Sequence, residues 1–546
     1  MKKHNTLKVV LVTLLVFLLL SWIFPAAYFS SEFVDQGRVQ MGLSDLFNYF
    51  MTSLSYFGHY ALYLIFVGCF YGVLYKIPAY RTFLDKVVAK VNAKVFLVVV
   101  SVLLALGVSV AGLQVGFAIF IPLIVSLILL MGYDKIVAAM VVVGSMVAGL
   151  VGTTYAYGNN SLLLGILTLD TDYQVGVRFL ILLVAVVLVL FNTFMYIKNN
   201  MGEVKASKST KKEESHKEEV VEEVVAAKEE KKAPAKTAKS TKTAPKKSGS
   251  KNTKSTKGSK SNGTKKNVNK AALRDEDIIV VKESVTADGN DDEYLVPTRV
   301  EVTHKVWPFV AGFILLFVLL VMAWITWGEY GFGVTLFDDV TTKVTEFELF
   351  GFPIFSKVYG MVNSFGNWSV IDMLLPSTLL LVLLVVIYRV KLDDVLDGVV
   401  IGAKKALLPA FVCLVLYTML VTVTYHPFQL SIYKAVLGLT KEFNIATTAV
   451  TTLLAAIFNV DPAYTYQAVL PYFTSVVTNV ENYPLAGVIA QSMYGFAALF
   501  APSSFVLMCT LAYLKVSYKD WLKNIWKLLL ELCVILLIVF IILALI

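Results

Sequence analysis

Long apolar runs alternate with short polar breaks along the chain, and most runs approach the roughly 20 helical residues needed to cross about 30 Å of hydrocarbon. They fall at about 7–28, 56–75, 95–113, 115–132, 135–152 and 175–197, then at 306–327, 371–389, 406–425, 443–460, 465–481, 484–502 and 525–546. Backbone in hydrocarbon must satisfy its own N–H and C=O groups, so the runs are expected to be helices. The pattern predicts an all-α integral membrane protein, a polytopic bundle of about 12–13 spans. The first run lacks a small-residue cleavage site and reads as a retained span, not a signal peptide.

Composition agrees: 57% of the 546 residues are hydrophobic and 16% charged, well below the charge content of soluble proteins. The four cysteines, Cys69, Cys413, Cys509 and Cys533, each lie in an apolar run without CxxC spacing, so they read as small hydrophobes.

The net charge of +9 is local. Residues 198–282 carry 23 Lys+Arg against 12 Asp+Glu, and the rest of the chain carries 25 against 27. Within that segment 233–270 holds 12 lysines, no acid and no aromatic residue. It has nothing to bury against the chain entropy it would lose and is expected to be disordered. Residues 211–232 just before it form a short charged helix by pattern. The chain therefore divides into a first membrane half (1–197), a lysine-rich cytoplasmic linker (198–305) and a second membrane half (306–546).

Lys and Arg in short loops orient the spans. Lys2, Lys3 and Lys8, then Lys76 to Lys94, the linker, Arg389 to Lys405, and Lys515 to Lys523 all fall on one side in a single threading. This predicts a multi-pass protein of the cell membrane with its N-terminus and linker cytoplasmic.

A constant shift of 350 residues aligns the halves, over repeat units of about 45–197 and 395–546. Tyr75 meets Tyr425, Ser101-Val-Leu-Leu-Ala105 meets Thr451-Thr-Leu-Leu-Ala455, and Thr153-Thr154 meets Ser503-Ser504. By the charge rule the span ending at Tyr75 enters the cytoplasm and the one ending at Tyr425 leaves it, so the repeats are expected to be inverted in topology, each with a re-entrant hairpin or broken helix. Inverted repeats mark secondary transporters, which bind solute near the midplane at interrupted helices.

The interruption candidates are GLVGTTYAYGNNS (149–161) and FAPSSF (500–505). Thr153, Thr154, Asn159 and Asn160 supply polar groups in the first; Pro502, Ser503 and Ser504 do so in the second. Carbonyls freed there can bind sodium and helix N-termini can face an anion; alternatively, these are helix ends capped by Thr and Ser. Gln114 precedes the first candidate, and Asp461 and Gln467 precede the second. Asp461 is an intramembrane carboxylate or a capping residue. Gln491 and Ser492 line the cavity or make helix–helix hydrogen bonds. Arg178 and Glu531, near span starts, are expected to snorkel to the interface, and His426 to be interfacial. No Walker loop, GxSxG or metal-ligand spacing occurs, so the chain does not read as an enzyme and implies no cofactor beyond a coupling ion, Na⁺ or H⁺.

Several of these segments are similar to those of the YfcC-like anaerobic dicarboxylate carriers, in the ion-transporter superfamily that includes the aminobenzoyl-glutamate transporters. GYDKIVAAMVVVGSMVAGLVGTT (132–154) resembles the family's Gly-Ser-Thr-x-Asn-Pro tip segment, LDDVLDGVVIGAKKAL (392–407) its Asp-Gly-x-x-x-Gly-Ala-Lys block, AYTYQAVLP (463–471) its Ser-Gly-Gln-Ala block, and APSSFVLMCTLAYLKVSYKDWLKNIWKLLL (501–530) its second tip. The resemblance implies two re-entrant tips meeting around solute and ion: Thr153 and Thr154, and Pro502, Ser503 and Ser504, with Gln467 nearby. The chain departs from it at Tyr155-Ala156-Tyr157, where the family has Asn-Pro, and at Phe505, where it has glycine.

The expected function is a secondary active transporter of a small organic solute, a carboxylate by the resemblance, working by alternating access with ion coupling in the lipid bilayer, alone or as a homo-oligomer. The alternative is a non-transporting membrane scaffold or sensor whose lysine-rich segment binds nucleic acid or anionic lipid.

Overall fold

The structure is a computed structural model that describes residues 5–30, 32–200, 280–281, 295–297, 299–300, 305–328, 332–360, 363–440 and 442–545. The lysine-rich stretch 233–270 and the helix expected at 211–232 lie outside the described residues. The first half contains α1 (Asn5–Ile23), a β-hairpin of β1 (Ala26–Phe29) and β2 (Phe33–Gly37), α2 (Leu43–Leu74), α3 (Pro78–Lys90), α4 (Ala93–Ala111), α5 (Ile121–Leu130), α6 (Lys135–Val151), α7 (Tyr157–Leu167) and α8 (Val175–Asn200). A two-residue pair of β3 (Val280–Val281) and β4 (Arg299–Val300) follows. The second half contains α9 (Trp307–Trp324), α10 (Leu336–Glu346), α11 (Ile354–Tyr359), α12 (Leu374–Tyr388), α13 (Leu392–Tyr425), α14 (Phe428–Leu437), α15 (Ile445–Phe458), α16 (Pro462–Val476), α17 (Tyr483–Ala498), α18 (Phe505–Leu514) and α19 (Tyr518–Leu545).

Among the described residues seven helices, α1, α2, α4, α8, α9, α13 and α19, are long and apolar enough to cross a membrane. Other apolar runs are shorter as helices than the sequence suggests. Helix α5, in the run 115–132, has 10 residues, about 15 Å at 1.5 Å per residue, which is half the hydrocarbon thickness, and α15, in the run 443–460, has 14. The cause is local. Gly112 takes a left-handed conformation (φ 68°) that ends α4, a single 3₁₀ turn fills Gly116–Ile119, and Pro122 starts α5. In the second half Asn459 ends α15, and Asp461 with Pro462 starts α16. A π-bulge at Met140–Gly144 lies inside α6.

The centre is the pair α2 and α13, which cross antiparallel. Tyr49 stacks on Tyr425 at 5.3 Å and Phe57 on Tyr417 at 4.4 Å, while Gly68 lies against Gly402 and Gly72 against Gly398. Positions rise along one helix as they fall along the other. The glycines let the backbones touch: a Cβ on Gly402 would sit 2.1 Å from the Gly68 carbonyl oxygen, and one on Gly72 2.1 Å from that of Gly398. Of the seven long apolar helices, α13 is the most buried and α19 the least. Leu11, Leu15 and Leu19 of α1 and Val534, Ile538 and Ile541 of α19 are exposed, as expected of a face that meets lipid.

The end of the expected linker is packed. Leu295 and Val296 are buried; the Leu295 carbonyl accepts from Ser126 Oγ (2.5 Å) and Tyr75 Oη (3.3 Å), and the Pro297 carbonyl accepts from Arg81 Nη1 (2.7 Å). These residues fall within the expected linker (198–305), and their carbonyls find donors at the end of α2, on α3 and on α5. A like contact involves the β-hairpin: Ser431 Oγ donates to the Pro25 carbonyl (2.7 Å) and the Ala27 N–H to that of Pro427 (3.3 Å).

Candidate functional site

Residues 152–156 interrupt the helix between α6 and α7, and four consecutive carbonyls there each accept from a side chain. The Val151 carbonyl accepts from Ser492 Oγ (3.0 Å), Gly152 from Ser109 Oγ (2.7 Å), Thr153 from Gln491 Nε2 (2.7 Å) and Thr154 from Arg178 Nη1 (2.8 Å). An interrupted helix leaves such carbonyls without their usual i+4 partners, and here α4, α8 and α17 supply replacements. Each carbonyl at this break has a side-chain donor, because polar side chains on three neighbouring helices point at it.

Thr154 is anchored doubly, its N–H donating to the Ser109 carbonyl (2.8 Å) and its hydroxyl lying 3.0 Å from Ser109 Oγ. Thr153 donates its hydroxyl back to Leu150 (3.0 Å). Asn159 and Gln114 form a reciprocal amide pair at 2.7 and 3.2 Å. Asn160 donates to Gln491 Oε1 (3.3 Å), as does Tyr173 Oη (3.2 Å). The five polar residues expected at the first site thus gather around one break, joined to the other half through Gln491. Gly495 of α17 makes this contact close, since a Cβ there would lie 2.3 Å from the Val151 nitrogen.

The second break, 499–504, is held in its own half. Ser503 Oγ donates to the Ile457 carbonyl (2.7 Å) at the end of α15. Trp521 Nε1 donates to Leu499 (2.8 Å), and Tyr518 Oη donates to Phe500. Ser504 caps α18 by accepting from the Leu507 N–H (3.4 Å), and Pro502 is half-buried between them. Asp461 likewise acts as a cap, accepting from the Tyr464 N–H (3.1 Å), which is the capping alternative. No hydrogen bond joins Thr153 or Thr154 to Ser503 or Ser504.

Two cavities flank these elements. One of about 80 Å³ is lined by Tyr71, Tyr75, Gln114, Lys405, Thr510 and Tyr513. The other, about 380 Å³, is lined by Phe33, Gln429, Tyr433, Asn459, Tyr464 and the exposed Gln467. Gln467 thus lies in a cavity wall.

Three positions differ from expectation. Arg178 does not snorkel: it is fully buried, bonded to the Thr154 and Thr171 carbonyls (2.8 and 2.5 Å), with the Tyr173 ring 4.0 Å from its guanidinium carbon. Glu531 is not in a first turn, because α19 starts at Tyr518; it accepts from Asn192 of α8 (2.7 Å). His426 is buried, accepting from Tyr49 Oη (2.7 Å) and donating through Nδ1 to the Val39 carbonyl (2.8 Å) in one arrangement that satisfies both contacts. Gln491 and Ser492 make helix–helix hydrogen bonds. Compared with known proteins, the chain matches no family model, no curated protein and no solved structure.

Proposed function

We propose that the protein is a secondary active transporter of a small organic solute, built from two inverted repeats and working by alternating access with ion coupling. The observation that carries this reading is the antiparallel crossing of α2 and α13. These helices are counterparts at a shift of 350 residues, 43–74 against 392–425, and counterparts that cross antiparallel are what an inverted duplication requires.

The other elements keep the same register. Helices α3, α4, α6, α7 and α8 correspond to α14, α15, α17, α18 and α19, with starts that agree to within about seven residues of the shift. In both halves the break packs on the end of the same counterpart helix, through Thr154 to Ser109 of α4 and through Ser503 to Ile457 of α15. Both cavities use equivalent positions: Gln114, Ala118, Ile121 and Pro122 in one, Tyr464, Ala468, Pro471 and Tyr472 in the other. Equivalent residues also hold the two segments from outside the repeats, Arg81 the carbonyl of Pro297 and Ser431 that of Pro25. Paired cavities, each beside a short strap, suit alternating access, in which one mouth opens as the other closes.

The test is uptake by purified protein in proteoliposomes, using radiolabelled succinate and then a panel of small organic acids and neutral solutes, with and without an inward sodium gradient. Gradient-driven uptake is expected, and Thr154→Ala with Ser503→Ala should reduce it at least tenfold by releasing both breaks. Full uptake by the double variant would remove the breaks from the mechanism.

A further inference from the structure

Two polar groups in the wall of the larger cavity have nothing to bond to. Gln429 and Tyr433 are 4% and 1% exposed, and among the described residues neither Gln429 Oε1 nor Tyr433 Oη has a hydrogen-bond partner. Both residues line the cavity of about 380 Å³, and four positions apart on α14 they share one helix face. The Gln429 amide is oriented by its other end, since Nε2 donates to the Val423 carbonyl (3.0 Å). That leaves Oε1 as an acceptor only. Buried polar atoms are as a rule paired. A cavity of this size, within the roughly 300–1,000 Å³ of small-molecule sites, has room for the missing partner.

The rest of the wall defines the chemistry of that partner. Among the described residues that line the cavity there is no Lys, Arg, His, Asp or Glu, so a charged group would enter without compensation. Lys434, on the same helix, is exposed and its Nζ already lies over the Phe33 ring, 4.9 Å from the centroid. The wall is rich in rings: Tyr472 meets Phe29 and Phe33 edge to face at 5.7 and 4.4 Å, and Tyr464 adds another. Such walls favour a flat, ring-bearing molecule. Gln429 Oε1 needs a donor, and the Tyr433 O–H needs an acceptor. An N–H beside a C=O on an uncharged ring answers both at once.

We propose that the larger cavity is the binding site of an uncharged planar amide or lactam, held with its N–H on Gln429 Oε1 and its C=O on Tyr433 Oη. The inference rests on the transporter reading for calling this molecule the solute. It gives that solute a different chemistry from the carboxylate that the resemblance implies.

Binding is measured apart from uptake. Thermal unfolding of the full chain in nanodiscs is followed with uracil, 2-pyridone and nicotinamide. The controls are 1,3-dimethyluracil, which keeps the ring and loses both N–H donors, and sodium succinate. At least one of the three amides should raise the wild-type midpoint by several degrees, as binding to the folded state requires, and neither control should. Tyr433→Phe without ligand should unfold at or slightly above the wild-type temperature, because the hydroxyl it removes has no partner to lose. It should nevertheless lose most of the ligand shift. Gln429→Leu should lose the shift outright; it also strands the Val423 carbonyl, so Tyr433→Phe decides if the leucine variant does not fold. A wild type stabilised by none of the three amides, an equal shift from either control, or a Tyr433→Phe protein that keeps the full shift would overturn the proposal. Uptake of succinate or another solute without stabilisation by the planar amides would sink the site and leave the transporter reading standing. Stabilisation without uptake of any solute would sink that reading and spare the site.

Discussion

Gly402→Ala should cost about 3 kcal/mol or more of stability, a large value even for overpacking in a tight core. The new Cβ would lie 2.1 Å from the Gly68 carbonyl oxygen, 2.7 Å from its carbon and 2.9 Å from Cys69 Cα. All three atoms are backbone, so no side chain can turn aside and α2 and α13 must separate. Separation would also loosen the stacks of Tyr49 on Tyr425 and Phe57 on Tyr417 along the same crossing. The expected readout is a sharp drop in unfolding temperature and in the yield of monodisperse protein. Gly176→Ala on α8, where a Cβ meets nothing within 4 Å, is the control and should be neutral or slightly stabilising. A Gly402→Ala protein that unfolds with the wild type would mean that the helices are not in backbone contact.

Gln491→Leu is expected to be nearly as damaging for a different reason. One side chain donates to the Thr153 carbonyl and accepts from Asn160 and Tyr173. Leucine has similar bulk and no polar atoms, so it strands three buried groups at about 1–3 kcal/mol each if none finds water. Two of the three belong to the interrupted segment and its following helix. Besides a lower unfolding temperature, hydrogen exchange of residues 151–160 should accelerate by at least tenfold while exchange in α2 stays slow. Gln467→Leu, at an exposed position of the larger cavity, should change neither. Equal exchange in the Gln491→Leu protein and the wild type would show that the break does not depend on α17.

Much of this arrangement was legible in the residues. Apolar run lengths mark most of the helices, and the 350-residue shift pairs the segments that form α2 and α13. Thr153, Thr154, Asn159, Asn160 and Gln114 stand out because polar groups between glycines in an apolar run need partners. Other features were not legible, for identifiable reasons. An apolar run does not by itself separate one crossing from a short helix next to an extended turn, so α5 reads as part of the full span 115–132. Arg178 near the start of an apolar run looks the same whether it reaches outward to water or inward to a break, and only the fold brings Thr154 and Thr171 to it. Leu295 and Val296 are two apolar residues in a polar context, and their burial depends on donors more than 160 residues away. Gln491 showed its polarity but not that it serves both halves.

The central claim is that two copies of one unit face opposite ways across the membrane, and cysteine accessibility tests it most directly. With Cys69, Cys413, Cys509 and Cys533 replaced, Ala89→Cys on α3 and Leu439→Cys just beyond α14 are made in separate proteins. Both positions are exposed and are related by the 350-residue shift. In intact cells a membrane-impermeant maleimide should label Leu439→Cys and leave Ala89→Cys untouched until the membrane is permeabilised. Labelling of both, or of neither, before permeabilisation would put the two units the same way up and contradict the inverted duplication.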